Sequence, residues 1–484
     1  MKFHKILLFI LLLFLMNETG ITQDNTLDRT KPPKAKPPKD VHFPDYYDTT
    51  LANGINLLVI ENYKIPSVSI RFVFKDAGSY YDNGKYGVSS VTADLLTKGT
   101  RNRTATQIAE ETDFYGASLS AGDDWDGSYV SLTVLKKFLD KVTDVLADVV
   151  LNPVFAEEEI NRLKEQRISS IIQGKDEPSV LSDKMFNKVV FEGSPYAFPP
   201  EGTEESIRSM TRDDIAGFYD EHYRPDKLIL AFVGAISKEE AIKIVNEKFS
   251  VWEKKDVEPV NTEMRQSDQP PTFSTDRVYI VDKPSSVQSN LRIGHTGIAR
   301  NNPDFIAVTV MNTILGGYFG SRINYDLREK HGFTYGARSS FSTRILPGDF
   351  SVDADVRNEV TDSSVERIIE NLQSMTSEEV TDEELQTVKN YLTGLFPLQL
   401  ETANAVATRV INLKLYGLPK NYYSTYISQI NGLTKKDILD AAQKYIHPDK
   451  LFIVISGNAN VIRDKMARFG KVEVYDADGK PEQK

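Results

Sequence analysis

The chain has 484 residues, 40% apolar, 10% aromatic and 26% charged, which is enough for a folded protein with more than one core. A formal net charge of -11, with no basic run interleaved with aromatics, argues against nucleic acid as a partner. Cysteine is absent, which excludes disulfides, thiolate metal sites, cysteine nucleophiles and cysteine-linked lipids.

The chain opens with lysines ahead of an apolar run from Ile6 to Met16. A membrane-spanning helix needs roughly 20 apolar residues, so this shorter run reads as a secretory signal over 1–22 rather than a retained anchor. Export follows, with the periplasm of a Gram-negative cell as the expected compartment and no integral membrane domain after cleavage. Residues 23–42 contain "DRTKPPKAKPPKD", a proline and lysine tether expected to stay extended. The folded part is expected to begin near Phe43.

"GINLLVIENYKIPSVSIRFVFKDAGSYYD" reads as a hairpin or meander of β-branched and aromatic residues. "YGVSSVTADLLTKG" reads as a helix ending at Gly99, and "TATQIAEETDFYG" as a second helix closed by Gly116. "ASLSAGDDWDGSYVSLTVL" suggests two strands around an Asp and Gly turn. "FLDKVTDVLADVVLNPVF" and "EEEINRLKEQRISSIIQGK" follow as helices.

An internal repeat sets the architecture. "TRDDIAGFYDEHYRPDKLILAFVG" (Thr211–Gly234) aligns without a gap on "TKKDILDAAQKYIHPDKLFIVISG" (Thr434–Gly457), pairing Thr211 with Thr434, Asp214 with Asp437, Pro225 with Pro448 and Gly234 with Gly457. Each copy is a capped helix, a "PDK" turn and a strand ending in glycine. The chain therefore reads as two tandem copies of one α+β unit, over 43–250 and 278–475. Charge- and proline-rich residues 251–277 form the expected linker, and 476–484 a polar tail. The second copy opens with "VYIVDKPSSVQSNLRIGHTGI", two strands around a turn. The helix "NPDFIAVTVMNTILGG" then takes the place that "GVSSVTADLLTKG" has in the first copy.

On these residues the chain resembles the pitrilysin-type zinc metallopeptidases, peptidase family M16, which include mitochondrial processing peptidase and insulin-degrading enzyme. The resemblance runs from the mid-40s to about residue 470 and is strongest to short bacterial members. It implies a LuxS/MPP-like metallohydrolase fold, each half a mainly antiparallel sheet packed with helices. Active members carry His-x-x-Glu-His on the first helix of the first domain, where two histidines and a later glutamate hold zinc and the motif glutamate activates water. In the frame set by Gly87 and "KGT" (98–100), the motif histidines fall on Ser90 and Asp94 and the motif glutamate on Ala93. The third ligand falls on Ser170, and Glu165 lies more than one helical turn away. All four positions lack the family's residue, so no metal is expected in this chain.

No substitute site is legible. The histidines are His4, His42, His222, His295, His331 and His447, with no two spaced for a shared helical face. His222 in "EHY" and His331 in "KHG" read as surface or turn residues. "DDWDGS" (123–128) lacks the spacing of a calcium loop and reads as an acidic turn.

The second copy keeps more. "GSRINYDLREKHGFTYGARSSF" resembles the family element whose arginine and tyrosine face the active site, here Arg328 and Tyr335. The resemblance implies that this pair grips the substrate backbone and stabilises a developing oxyanion, roles that a guanidinium fork and a phenol suit. It further implies a catalytically incomplete subunit, working on a peptide or unfolded protein held by a zinc-bearing M16 homologue, with the four domains closing around a chamber. The alternative is a clamshell-shaped binding or scaffold protein with no proteolytic role. The strand region "GASLSAGDDWDGSYVSL", where active relatives add a substrate strand, reads either as a peptide-binding edge or as an edge that packs on a partner.

Overall fold

The computed structural model describes residues 42–254 and 277–482. The expected leader, nearly all of the tether, His4 and most of the expected linker lie outside them.

Two six-stranded mixed sheets, mostly antiparallel, carry the two halves. In the first, β1 (Tyr47–Thr50), β2 (Asn56–Glu61), β3 (Ser67–Lys75), β4 (Ser118–Asp123), β5 (Gly127–Leu135) and β6 (Leu228–Gly234) lie in the order β1-β2-β6-β3-β5-β4. In the second, β7 (Arg277–Asp282), β8 (Gln288–Thr296), β9 (Ala337–Ser342), β10 (Asp349–Arg357), β11 (Phe452–Gly457) and β12 (Lys471–Tyr475) lie in the order β12-β7-β11-β8-β10-β9. The orders match position for position. The outermost strand differs in origin: β1 precedes its sheet and runs antiparallel to β2, whereas β12 comes from the C-terminal end and runs parallel to β7.

The expected hairpin over β2 and β3 does not form. β6 lies between them, parallel to β2 (Ile60 opposite Val233) and antiparallel to β3 (Ile70 opposite Phe232). β11 separates β7 from β8 in the same way. The reason is burial: every residue of β6 is buried, so its place is at the centre of a sheet covered on both faces. The turn after β4 behaves as expected, β4 and β5 pairing directly with Asp123 opposite Ser128.

Helices of the first half are α1 (Val88–Leu95), α2 (Ala105–Phe114), α3 (Leu139–Leu151), α4 (Glu157–Gly174), α5 (Pro178–Val190), α6 (Glu204–Ser209), α7 (Arg212–His222) and α8 (Lys238–Phe249). The second half has α9 (Phe305–Asn312), α10 (Thr361–Ser377), α11 (Asp382–Leu398), α12 (Ala403–Leu415), α13 (Tyr422–Gly432), α14 (Lys435–Tyr445) and α15 (Ala459–Met466). The repeat is visible in its caps: Thr211 and Asp214 cap α7 reciprocally, as Thr434 and Asp437 cap α14.

The halves exchange helices. The apolar face of α5, with Leu181, Met185, Phe186 and Val190, packs on Tyr279, Val281 and Val454 of the second sheet. In return α12 lays Val406, Ala407, Val410 and Ile411 on Leu58, Ile60, Ala231 and Val233 of the first. Polar contacts fix each docked helix: Arg292 Nη2 meets Asp183 Oδ1 at 3.1 Å, and Arg71 Nη1 donates to Thr408 Oγ1 at 2.6 Å. A third contact joins the turn after β4 to the second half. The Asp126 carboxylate accepts the Ile345 amide, at 3.1 Å to each oxygen, and the neighbouring Arg344 guanidinium lies 4.4 Å from the ring centres of Trp125 and Tyr196.

Candidate functional site

Helix α1 is held at its first turn by two backbone constraints. Gly87, its N-cap, has φ of 91°, and a Cβ there would come within 2.9 Å of the Glu201 carbonyl oxygen and the Gly202 Cα. The Gly87 and Ser89 amides donate to Asp82 at 2.6 and 3.0 Å, supplying the carboxylate that the helix N-terminus favours. Burial nevertheless pushes the Asp82 carboxyl up to about 7, against those two amides.

The four positions on which the zinc motif is expected to fall divide into three kinds. Ala93 is fully enclosed in the packing of α1. Ser90 and Asp94 stand one turn apart and share a guanidinium from α4: Arg167 Nη2 donates to Ser90 Oγ at 2.8 Å and to Asp94 Oδ2 at 2.6 Å. A longer contact runs from Arg167 Nη1 to the Glu201 carbonyl at 3.4 Å. Ser170, one turn further along α4, is exposed and donates to the Gln166 carbonyl at 3.1 Å, outside this cluster. Behind it, Asp123 at the end of edge strand β4 accepts Ser79 Oγ at 2.8 Å and Ser89 Oγ at 3.0 Å. Burial raises the Asp123 carboxyl to about 6, opposed by the serine hydroxyls and the Arg167 charge.

These residues do not fit zinc. Structural and catalytic zinc takes at least three protein ligands, and of the four motif positions only Asp94 carries one, already spent on a cation. Among the described residues no group of three or more His, Cys, Asp or Glu could hold a metal ion. His222 is not the surface residue its neighbours suggest. It is 3% exposed, against the rings of Tyr81 and Phe218, and its imidazole is held below the usual range mainly by burial. His331 is an exposed residue, as expected, with its imidazole 3.6 Å from Asp326. In the "DDWDGS" turn, Asp124 accepts the Asp126 and Gly127 amides at 2.8 and 3.0 Å, the bonding of an Asx turn.

In the second half the helix equivalent to α1, α9, runs on into a π-helical turn over 313–317, and a second π turn spans Tyr325–Lys330. Arg328 lies on that second turn. Its guanidinium carbon is 4.5 Å from the Phe319 ring centre and its Nε is 3.7 Å from Glu329 Oε1. Its Nη1 is sealed from solvent with no hydrogen-bond partner among the described residues. Tyr335 is 91% exposed. Asn324 braces the loop that carries it, donating to the Phe319 carbonyl at 2.6 Å and accepting the Ala337 amide at 3.0 Å. Asp326 anchors the π turn by accepting Arg367 Nε and Asn371 Nδ2, both at 2.8 Å.

Arg167, Asp123 and Asn324 are site residues that sequence reasoning missed. Arg167 precedes Ser170 by one helical turn, so the α4 face that should carry the third ligand was itself the signal.

Residues 57–199 match Insulinase (Peptidase family M16), and residues 209–392 match the Peptidase M16 inactive domain. The chain belongs to peptidase family M16. This M16 chain is 24% identical over 413 residues to an uncharacterized zinc protease, YmxG, of Bacillus subtilis, covering 85% of this chain and 98% of the relative. It is 24% identical over 405 residues to the non-peptidase homolog YmxG of Helicobacter pylori, covering 82% and 90%. The crystal structure of a peptidase M16 inactive domain from Pseudomonas fluorescens superposes with a TM-score of 0.80 at 26% identity, covering 86% of this chain and 98% of that one. Within the family this is a homologue with no metal-binding cluster among the described residues.

Proposed function

We propose that this chain is the zinc-less subunit of an exported, heteromeric M16 peptidase, whose zinc-bearing partner supplies metal and water activation while Arg328 and Tyr335 supply substrate contacts. The supporting observation is the asymmetry between the halves. In the first, a guanidinium occupies the hydrogen-bonding positions of the motif helix. In the second, Arg328 is stacked on Phe319 with its side chain one-third exposed, at 33%, and Tyr335 further along the chain stands open to solvent. Arg328 would donate to a substrate carbonyl and Tyr335 to the oxygen on which charge develops, donors that matter most when aimed beforehand. The two domains, 43–250 and 278–475, would form half of a chamber with a LuxS/MPP-like fold, and the partner's two domains the other half.

Peptide hydrolysis by the reconstituted pair tests the reading. Arg328→Ala and Tyr335→Phe each lower kcat/KM by a factor on the order of a hundred, the loss typical of one oxyanion donor. An unchanged rate in both variants contradicts the substrate role. The name of the Helicobacter pylori relative, a non-peptidase homolog, favours a second reading, a clamshell-shaped binding or scaffold protein without proteolysis. Stable assembly with no peptidase activity in any complex would establish it.

A further inference from the structure

We propose that Arg167 has taken over the place of the metal dication: its guanidinium is an internal cation that joins α1 to α4 and keeps zinc out even when ligand residues are restored. The inference uses the motif frame but not the subunit role, so each can fail without the other.

Three observations carry it. The Arg167 Nη2 reaches both α1 positions where the family places imidazoles, Ser90 at 2.8 Å and Asp94 at 2.6 Å. The side chain comes from α4, the helix that should bring the third ligand, so it spans the two elements a zinc ion would bridge. It is also largely enclosed, only 13% exposed, with its Nε sealed and without a hydrogen-bond partner. A buried guanidinium cannot shed its charge, and a dication placed beside it meets like-charge repulsion in a medium that screens poorly. The joint is thus metal-free by construction. Nη2 alone serves both the hydroxyl and the carboxylate, while Nη1 reaches the Glu201 carbonyl at 3.4 Å.

The test restores the ligands with and without the guanidinium. One variant of the full mature chain carries Ser90→His, Asp94→His and Ser170→Glu; a second adds Arg167→Gln. Zinc content is read by elemental analysis and affinity by competition with a chromophoric chelator. The expected result is about one zinc per chain in the second variant, bound on the order of a hundredfold more tightly than in the first. Equal binding by both, or binding by neither, overturns the proposal. A measurement on the native background guards against misfolding of the multiple variants. Arg167→Gln and Asp94→Asn each lower Tm, and the second substitution costs little once the first is made; fully additive losses would overturn the joint.

Discussion

Asp123 shows how the remodelled site titrates. Its carboxyl is raised to about 6, so the folded protein holds that proton more tightly than the unfolded chain, whose carboxylates titrate near their ordinary value. The stabilising contribution is therefore complete at low pH and is lost as pH rises through about 6. Asp123→Asn keeps an acceptor for Ser79 and Ser89 but removes the titration. The stability of the variant relative to the native chain should accordingly rise between pH 3 and pH 7, by about 3 kcal/mol, and level off above. Paired thermal melts across that range check it, and a pH-independent difference would mean that the Asp123 carboxyl titrates in the fold as it does in the unfolded chain.

At the scale of elements, α1 and α5 make separate demands. Gly87 is needed for its left-handed backbone and for the close approach of Gly202, so Gly87→Ala should destabilise by about 1–3 kcal/mol and loosen the contact of α1 with the backbone at Glu201 and Gly202. Phe186 is fully buried where α5 meets the second sheet, and Phe186→Ala should cost about 3–5 kcal/mol in denaturant unfolding. A single cooperative transition for both variants is expected, because each half donates a helix to the other. These elements also show what sequence can reveal. The caps of α7 and α14 rest on short, local side-chain patterns, and the repeat exposed them. The insertion of β6 between β2 and β3 is a pairing of residues far apart in the chain, to which local alternation is blind. Arg328 and Tyr335 stood in an unaltered motif frame. Arg167 did not, because it compensates for missing residues rather than conforming to a pattern, and only the packing of α4 on α1 shows where its charge goes.

For the whole molecule, exchanged helices tie the halves of one chain together, with α5 and α12 each docked on the opposite sheet. Opening of a chamber is thereby expected between chains rather than within one. Chelation is expected to leave the Tm of this chain unchanged, since the charge joining α1 to α4 is a guanidinium, and to abolish hydrolysis by the proposed pair, in which the partner would hold the metal.

The most direct measurement is affinity capture of the mature protein from its native cell envelope fraction, with mass spectrometry and stoichiometry of what is retained. The expected result is a second M16 chain with an intact His-x-x-Glu-His, present at one copy per copy of this chain. A homodimer, or an unrelated protein in its place, would contradict it.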